Sequence, residues 1–115
     1  MVRARTESAF EAIVVLTTVG GVEDADRTAR TLIEERLAAC VNRVEVASTY
    51  RWQGAIEDDS EILLIIKSTA ELRAALEARV HELSRYEVPE FVVIDAASVA
   101  QAYGRWLEAS CRRED

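Results

Sequence analysis

"SEILLIIKS", residues 60–68, runs five aliphatic side chains together and closes them with Lys67, the only lysine in the chain. In a strand successive side chains point to opposite faces, so Ile62, Leu64 and Ile66 project one way and Leu63 and Ile65 the other. A sheet covered on one side needs apolar residues on one face only. Here both faces call for burial. The same doubling marks residues 12–18, with Ile13 and Val15 against Val14 and Leu16, and residues 91–95, with Phe91 and Val93 against Val92 and Ile94.

Working outward, these three segments read as strands, joined by a less regular fourth from Val41 to Trp52. Gly20-Gly21 and Asp24 precede Ala25, Ala29, Leu32, Ile33, Arg36 and Leu37 at helical spacing, which predicts a helix over 23–39. Gln53-Gly54 predicts a hairpin turn, with Glu57, Asp58 and Asp59 near its tip. Ser68 and Glu71 have capping-box spacing, and Leu72, Ala75, Leu76, Val80 and Leu83 form the stripe of a second helix. Pro89, the sole proline, opens the last strand, and a final helix spans about 99–111. The order β-α-β-β-α-β is that of an α+β, ferredoxin-like antiparallel sandwich, here with an extra C-terminal helix. Two helices cover one face of such a sheet. The other face predicts a homo-oligomer, because apolar patches that large are seldom left open.

At 115 residues and 50% hydrophobic content the chain fits a single domain, expected over 12–115 after a disordered segment 1–11. Arg3 and Arg5 have the look of a signal peptide's charged start, but Glu7 and Glu11 follow and the apolar run 12–16 is short. A net charge of -7 and the lack of a Lys/Arg cluster argue against nucleic acid and anionic membrane as partners. Nothing approaches the roughly 18 apolar residues of a spanning helix. Cys40 and Cys111 match no metal or redox spacing, so a reduced, cytoplasmic protein is expected, with a disulfide between them left open.

Four segments in register, "ERLAACVN" (35–42), "STYRWQG" (48–54), "DDSEILLIIKS" (58–68) and "RYEVPEFVVID" (85–95), resemble the CutA divalent-cation tolerance proteins. The likeness runs from about Ala12 to Leu107. It implies a homotrimer similar in plan to the PII signalling proteins, linked to tolerance of copper and other divalent cations. Some bacterial relatives carry a cysteine near the end of the first strand and a histidine pair before the last. Here those positions hold Leu16, and Leu83 with Ser84.

Candidate site residues follow. Glu61 and Lys67 share strand parity and would border an apolar interface, where an ammonium must be paired. Lys67 then either anchors an anionic ligand in an inter-subunit cleft or forms a structural ion pair. Tyr50 and Trp52 share a face and would wall that cleft with Tyr86, Glu90 and Trp106, or else anchor a subunit interface. Glu57, Asp58 and Asp59 read as a weak hard-cation site or a solvated hairpin tip. Cys40 and His81 are the soft or borderline metal candidates, each also readable as structural. Catalytic motifs are absent, so a binding protein is expected rather than an enzyme. The family reading therefore predicts divalent-cation (copper) binding by a homotrimer. A sensor of a small anionic metabolite and a trimeric scaffold are the alternatives.

Overall fold

A computed structural model describes residues 10–112. The expected segment 1–11 lies outside these residues except for Phe10 and Glu11; Phe10 packs against the small cluster of Ala12, Ala39, Leu107 and Cys111. Four strands, β1 (Ala12–Val19), β2 (Cys40–Trp52), β3 (Ala55–Thr69) and β4 (Val92–Asp95), form one antiparallel sheet in the order β2-β3-β1-β4. Three α-helices accompany it: α1 (Val22–Glu34), α2 (Arg73–Leu83) and α3 (Gln101–Ser110). The expected α+β order is thus observed.

Parity decides what is buried. Ile13 and Val15 of β1, with Ile62, Leu64 and Ile66 of β3, are at most 8% exposed and pack against Ala25, Leu32, Leu76 and Val80 of α1 and α2. The opposite parity stays open. Val14, Leu16, Leu63 and Ile65 are half-buried, while Val44, Val92 and Ile94 are 43–47% exposed. Register places all of them on one face: Leu16 lies between Ile65 and Val92, and Leu63 lies opposite Val44. α3 covers only the Ala12 end of this face, docking through Leu107 beside Ala12 and Ala39, with Cys111 just past its end.

The β2–β3 hairpin reaches past the rest of the sheet. β1 pairs with β3 only as far as Val19 opposite Ile62, yet β2 and β3 continue together to Trp52 opposite Ala55. The turn itself has Gln53 at φ 51° and Gly54 at φ 83°, the two successive positive φ values of the hairpin turn whose twist matches its strands. Residues 51–60 are all exposed. A two-stranded ribbon is marginal in water by itself, so this arm lacks the support that a third strand or a helix would give.

Four expectations need correction. The helix predicted over 23–39 ends at Glu34, because Arg36 takes φ 59° and turns the chain; Leu37, Ala38 and Ala39 are buried as connector residues instead. The Arg36 guanidinium donates to the Ser110 carbonyl at 3.1 Å, which helps offset a left-handed conformation that is uncommon outside glycine. Glu57, Asp58 and Asp59 belong to β3 proper, paired with Tyr50, Thr49 and Ser48, and so lie beyond the hairpin tip. The Ser68–Glu71 capping box does not form: Ser68 lies in β3, its hydroxyl donates to the Leu37 carbonyl at 2.7 Å, and a short 3-10 turn over Ala70–Leu72 precedes α2. In α2 the predicted stripe loses Ala75, which is exposed.

Leu64 is fully buried at the centre of the core. Leu64→Ala should cost about 2–5 kcal/mol in chemical denaturation. A loss below about 1 kcal/mol would place the core elsewhere.

Candidate functional site

The arm's open face alternates Trp52, Tyr50 and Ser48 on β2 with Glu57, Asp59 and Glu61 on β3, because residues directly opposite in an antiparallel pair share a face. Tyr50 stands opposite Glu57, and its hydroxyl reaches diagonally to donate to Asp59. On the opposite face the Thr49 hydroxyl donates to Asp58 at 2.5 Å.

Residues 84–91, between α2 and β4, bring the remaining groups to this arm. The Tyr86 N–H donates to the Ser84 hydroxyl at 3.0 Å. The Arg85 guanidinium donates to Asp24 at 3.0 Å, and Arg27 bridges the same carboxylate at 3.2 Å and the Leu83 carbonyl at 3.0 Å. Hydrogen bonds from Arg85 and then Arg27 hold the Asp24 carboxyl below its usual range. Thus tethered, Tyr86 donates its hydroxyl to Glu61 at 2.6 Å. The buried Thr17 hydroxyl donates to the Glu90 carbonyl at 2.6 Å and fixes the chain where it enters β4.

The result is a cleft of about 810 Å³ lined by Tyr50, Trp52, Glu61, Tyr86, Val88 and Glu90, with Arg51 and Arg85 also present. Its electrostatics are acidic. Although Glu90 is exposed as a residue, its carboxyl is pushed up, first by partial burial and then by the Glu61 charge. The Tyr50 phenol is pushed up to about 12, chiefly by its hydrogen bond to Asp59. Tyr86 is also pushed up, by burial and then by Glu61. Both phenols therefore stay neutral donors at ordinary pH. Of the two arginines, Arg85 is bound to Asp24 and Arg51 donates to the Gly54 carbonyl at 3.5 Å. The cleft offers aromatic walls and carboxylate acceptors.

Five of the expected residues, Tyr50, Trp52, Glu61, Tyr86 and Glu90, are thus brought together. Two are not. Trp106 sits on α3 against Tyr103, ring centroids 5.3 Å apart. Lys67 shares Glu61's face but lies six positions along β3, roughly 20 Å away at the usual strand rise, where it donates to the Asn42 side-chain carbonyl. Two positions went unsingled in the sequence. Thr17 is a polar residue on the buried parity of β1, and that mismatch was its signal; Asp24, which tethers Arg85, gave none beyond helix-start chemistry.

The metal candidates do not gather. Among the described residues no three His, Cys, Asp or Glu side chains converge on a point that could hold an ion. Cys40 is half-buried near Asn42, His81 meets the Phe91 ring edge-on at 6.2 Å, and Glu57, Asp58 and Asp59 alternate between the faces of the arm. Leu16 lies between hydrocarbon neighbours, Ile65 and Val92. The donors within one subunit therefore do not fit a thiolate-imidazole copper site, which soft-ligand preferences would favour. Cys40 and Cys111 are both free thiols. No described helix is long and apolar enough to cross a membrane.

Fold and cleft together define a split-βαβ chain with a largely bare sheet face, a long hairpin arm and an acidic, aromatic-walled cleft at the arm's root. Comparison with known proteins gives that class its family. The profile of the CutA1 divalent ion tolerance protein family matches residues 13–110. The divalent-cation tolerance protein CutA of Thermus thermophilus is 46% identical over 95 residues, covering 82% of this chain and 92% of that one. Its counterpart in Pyrococcus horikoshii is 40% identical over 95 residues, covering 83% and 93%. Among solved structures, CutA1 from Oryza sativa superposes with a TM-score of 0.86 at 39% identity, over 90% of this chain and 96% of that one. The chain belongs to the CutA1 divalent ion tolerance family.

Proposed function

We propose that the chain works as a homotrimer in the tolerance of divalent cations, as a cytoplasmic binding protein and not an enzyme. Membership of the CutA1 family supports the role in cation tolerance. The observation that carries the assembly is the bare apolar face. Val44, Val92 and Ile94 are 43–47% exposed on a sheet whose other face is full, and the arm beyond it lacks a supporting layer. Copies of the same chain would cover both.

Copper is the ion that the family resemblance suggests. In this chain cation uptake rests on carboxylates, of which Glu57, Asp59 and Glu61 share the arm's open face. Oxygen donors scattered along a strand give modest affinity and little preference for soft ions. An acidic cleft whose Glu61 and Glu90 charges repel one another is also a poor receptor for an anion, which weighs against an anionic metabolite.

Calorimetric titration with copper, zinc and magnesium should show weak binding that a chelator reverses. Combined Glu57→Gln and Asp59→Asn should weaken it, and Cys40→Ser or His81→Gln should leave it unchanged. Chelator-resistant copper abolished by Cys40→Ser would overturn the carboxylate reading. Tight uptake of an anionic metabolite, with no response to cations, would overturn the cation-binding role.

A further inference from the structure

Two features of the open face are incomplete, and their charges are opposite. At one end, Glu61 and Glu90 line the same cleft, and the Glu61 charge adds to the burial that raises the Glu90 carboxyl. No described cation forms an ion pair with either carboxylate: Arg85 is bound to Asp24, and Arg51, opposite Ile56, lies on the arm's other face. At the other end stands Lys67, half-buried on the same face, opposite Cys40 on β2 and Val14 on β1. Its hydrogen bond goes to the Asn42 side-chain carbonyl, a neutral acceptor, and no described carboxylate pairs with it. Within one chain the two ends lie roughly 20 Å apart along β3, out of reach of any side chain.

Between these ends runs the uncovered hydrocarbon of Leu16, Leu63, Ile65 and Val92. A second copy that covers this surface desolvates what borders it, and a half-buried ammonium or a repelling carboxylate pair then needs an opposite charge. We propose that the site is completed in trans: Lys67 of one subunit enters the cleft of its neighbour and pairs with Glu61 and Glu90. The inference rests on the homotrimer reading. In a threefold ring each subunit gives its lysine to one neighbour and receives one from the other, a heterologous contact that closes. An ammonium suits the position because its three donors can serve both carboxylates from a single point, which a planar guanidinium does less readily.

A single lysine makes the test direct. Equal parts of natural-abundance and nitrogen-15-labelled chain are co-refolded, sedimented to confirm assembly, and treated with a zero-length carbodiimide that joins an amine to a carboxylate in contact. Peptide mass spectrometry should find Lys67 joined to Glu61 or Glu90, with one light and one heavy partner in the statistical share. Lys67 joined only within one isotope, only to other carboxylates, or to none in a sedimenting trimer would overturn the proposal while leaving the assembly reading intact. Monomeric sedimentation would overturn both. As an independent readout, Lys67→Met and Glu90→Gln should each lower the concentration of denaturant at which subunits separate, and the double variant should fall no further than the worse single one. Additive losses would contradict a shared contact.

Discussion

The central sheet carries hydrocarbon on both faces, and the helices of one chain fill only one of them, α3 reaching no further than the Ala12 end of the other. Everything distinctive about the molecule follows from that imbalance. Ile13, Val15, Leu64 and Ile66 are satisfied by α1 and α2. Val14, Leu16, Leu63 and Ile65 are left half-covered, with Val92 and Ile94 open beyond them. Apolar area removed from water contributes roughly 25 cal/mol per Å², so covering this face stabilises whatever state covers it. The arm of β2 and β3 extends the same face outward into a two-stranded ribbon with no third strand beside it among the described residues.

The cleft is a consequence of how the arm's root meets the chain before β4. Asp24 at the start of α1 gathers Arg27 and Arg85, and Arg27 also caps the Leu83 carbonyl at the end of α2. That knot places Tyr86 on Glu61, while Thr17 holds the Glu90 backbone from below. Burial and like charge then act on the same few groups, so the site's acidity is a product of the fold's connections rather than of composition alone. The chain's net charge of -7 is spread widely; the cleft is where its effect is focused.

What could be read from the residues was mostly a matter of period. Unbroken apolar runs in residues 12–16 and 62–66 gave the sheet, its two apolar faces and the need for a partner, because side-chain parity is a local property of a strand. The end of α1 was hidden: a left-handed arginine at Arg36 breaks a pattern that Leu37 would otherwise continue, and the tertiary bond to Ser110 helps hold it there. The first half of β3 was hidden too, since Glu57, Asp58 and Asp59 are poor strand formers held extended by their pairing with Ser48, Thr49 and Tyr50. Parity correctly put Glu61 and Lys67 on one face, but a shared face is not a shared place. Their separation along the strand, and the removal of Trp106 to α3, emerged only from the three-dimensional arrangement.

If the open face is the constraint on which the structure depends, folding and association are one equilibrium, and apparent stability must follow mass action. The most direct measurement is the denaturant midpoint of the intact chain over a hundredfold range of protein concentration, with sedimentation at each concentration. The account predicts a midpoint that rises with concentration and a folded species of trimer mass throughout. A folded monomer whose midpoint does not change with concentration would contradict it.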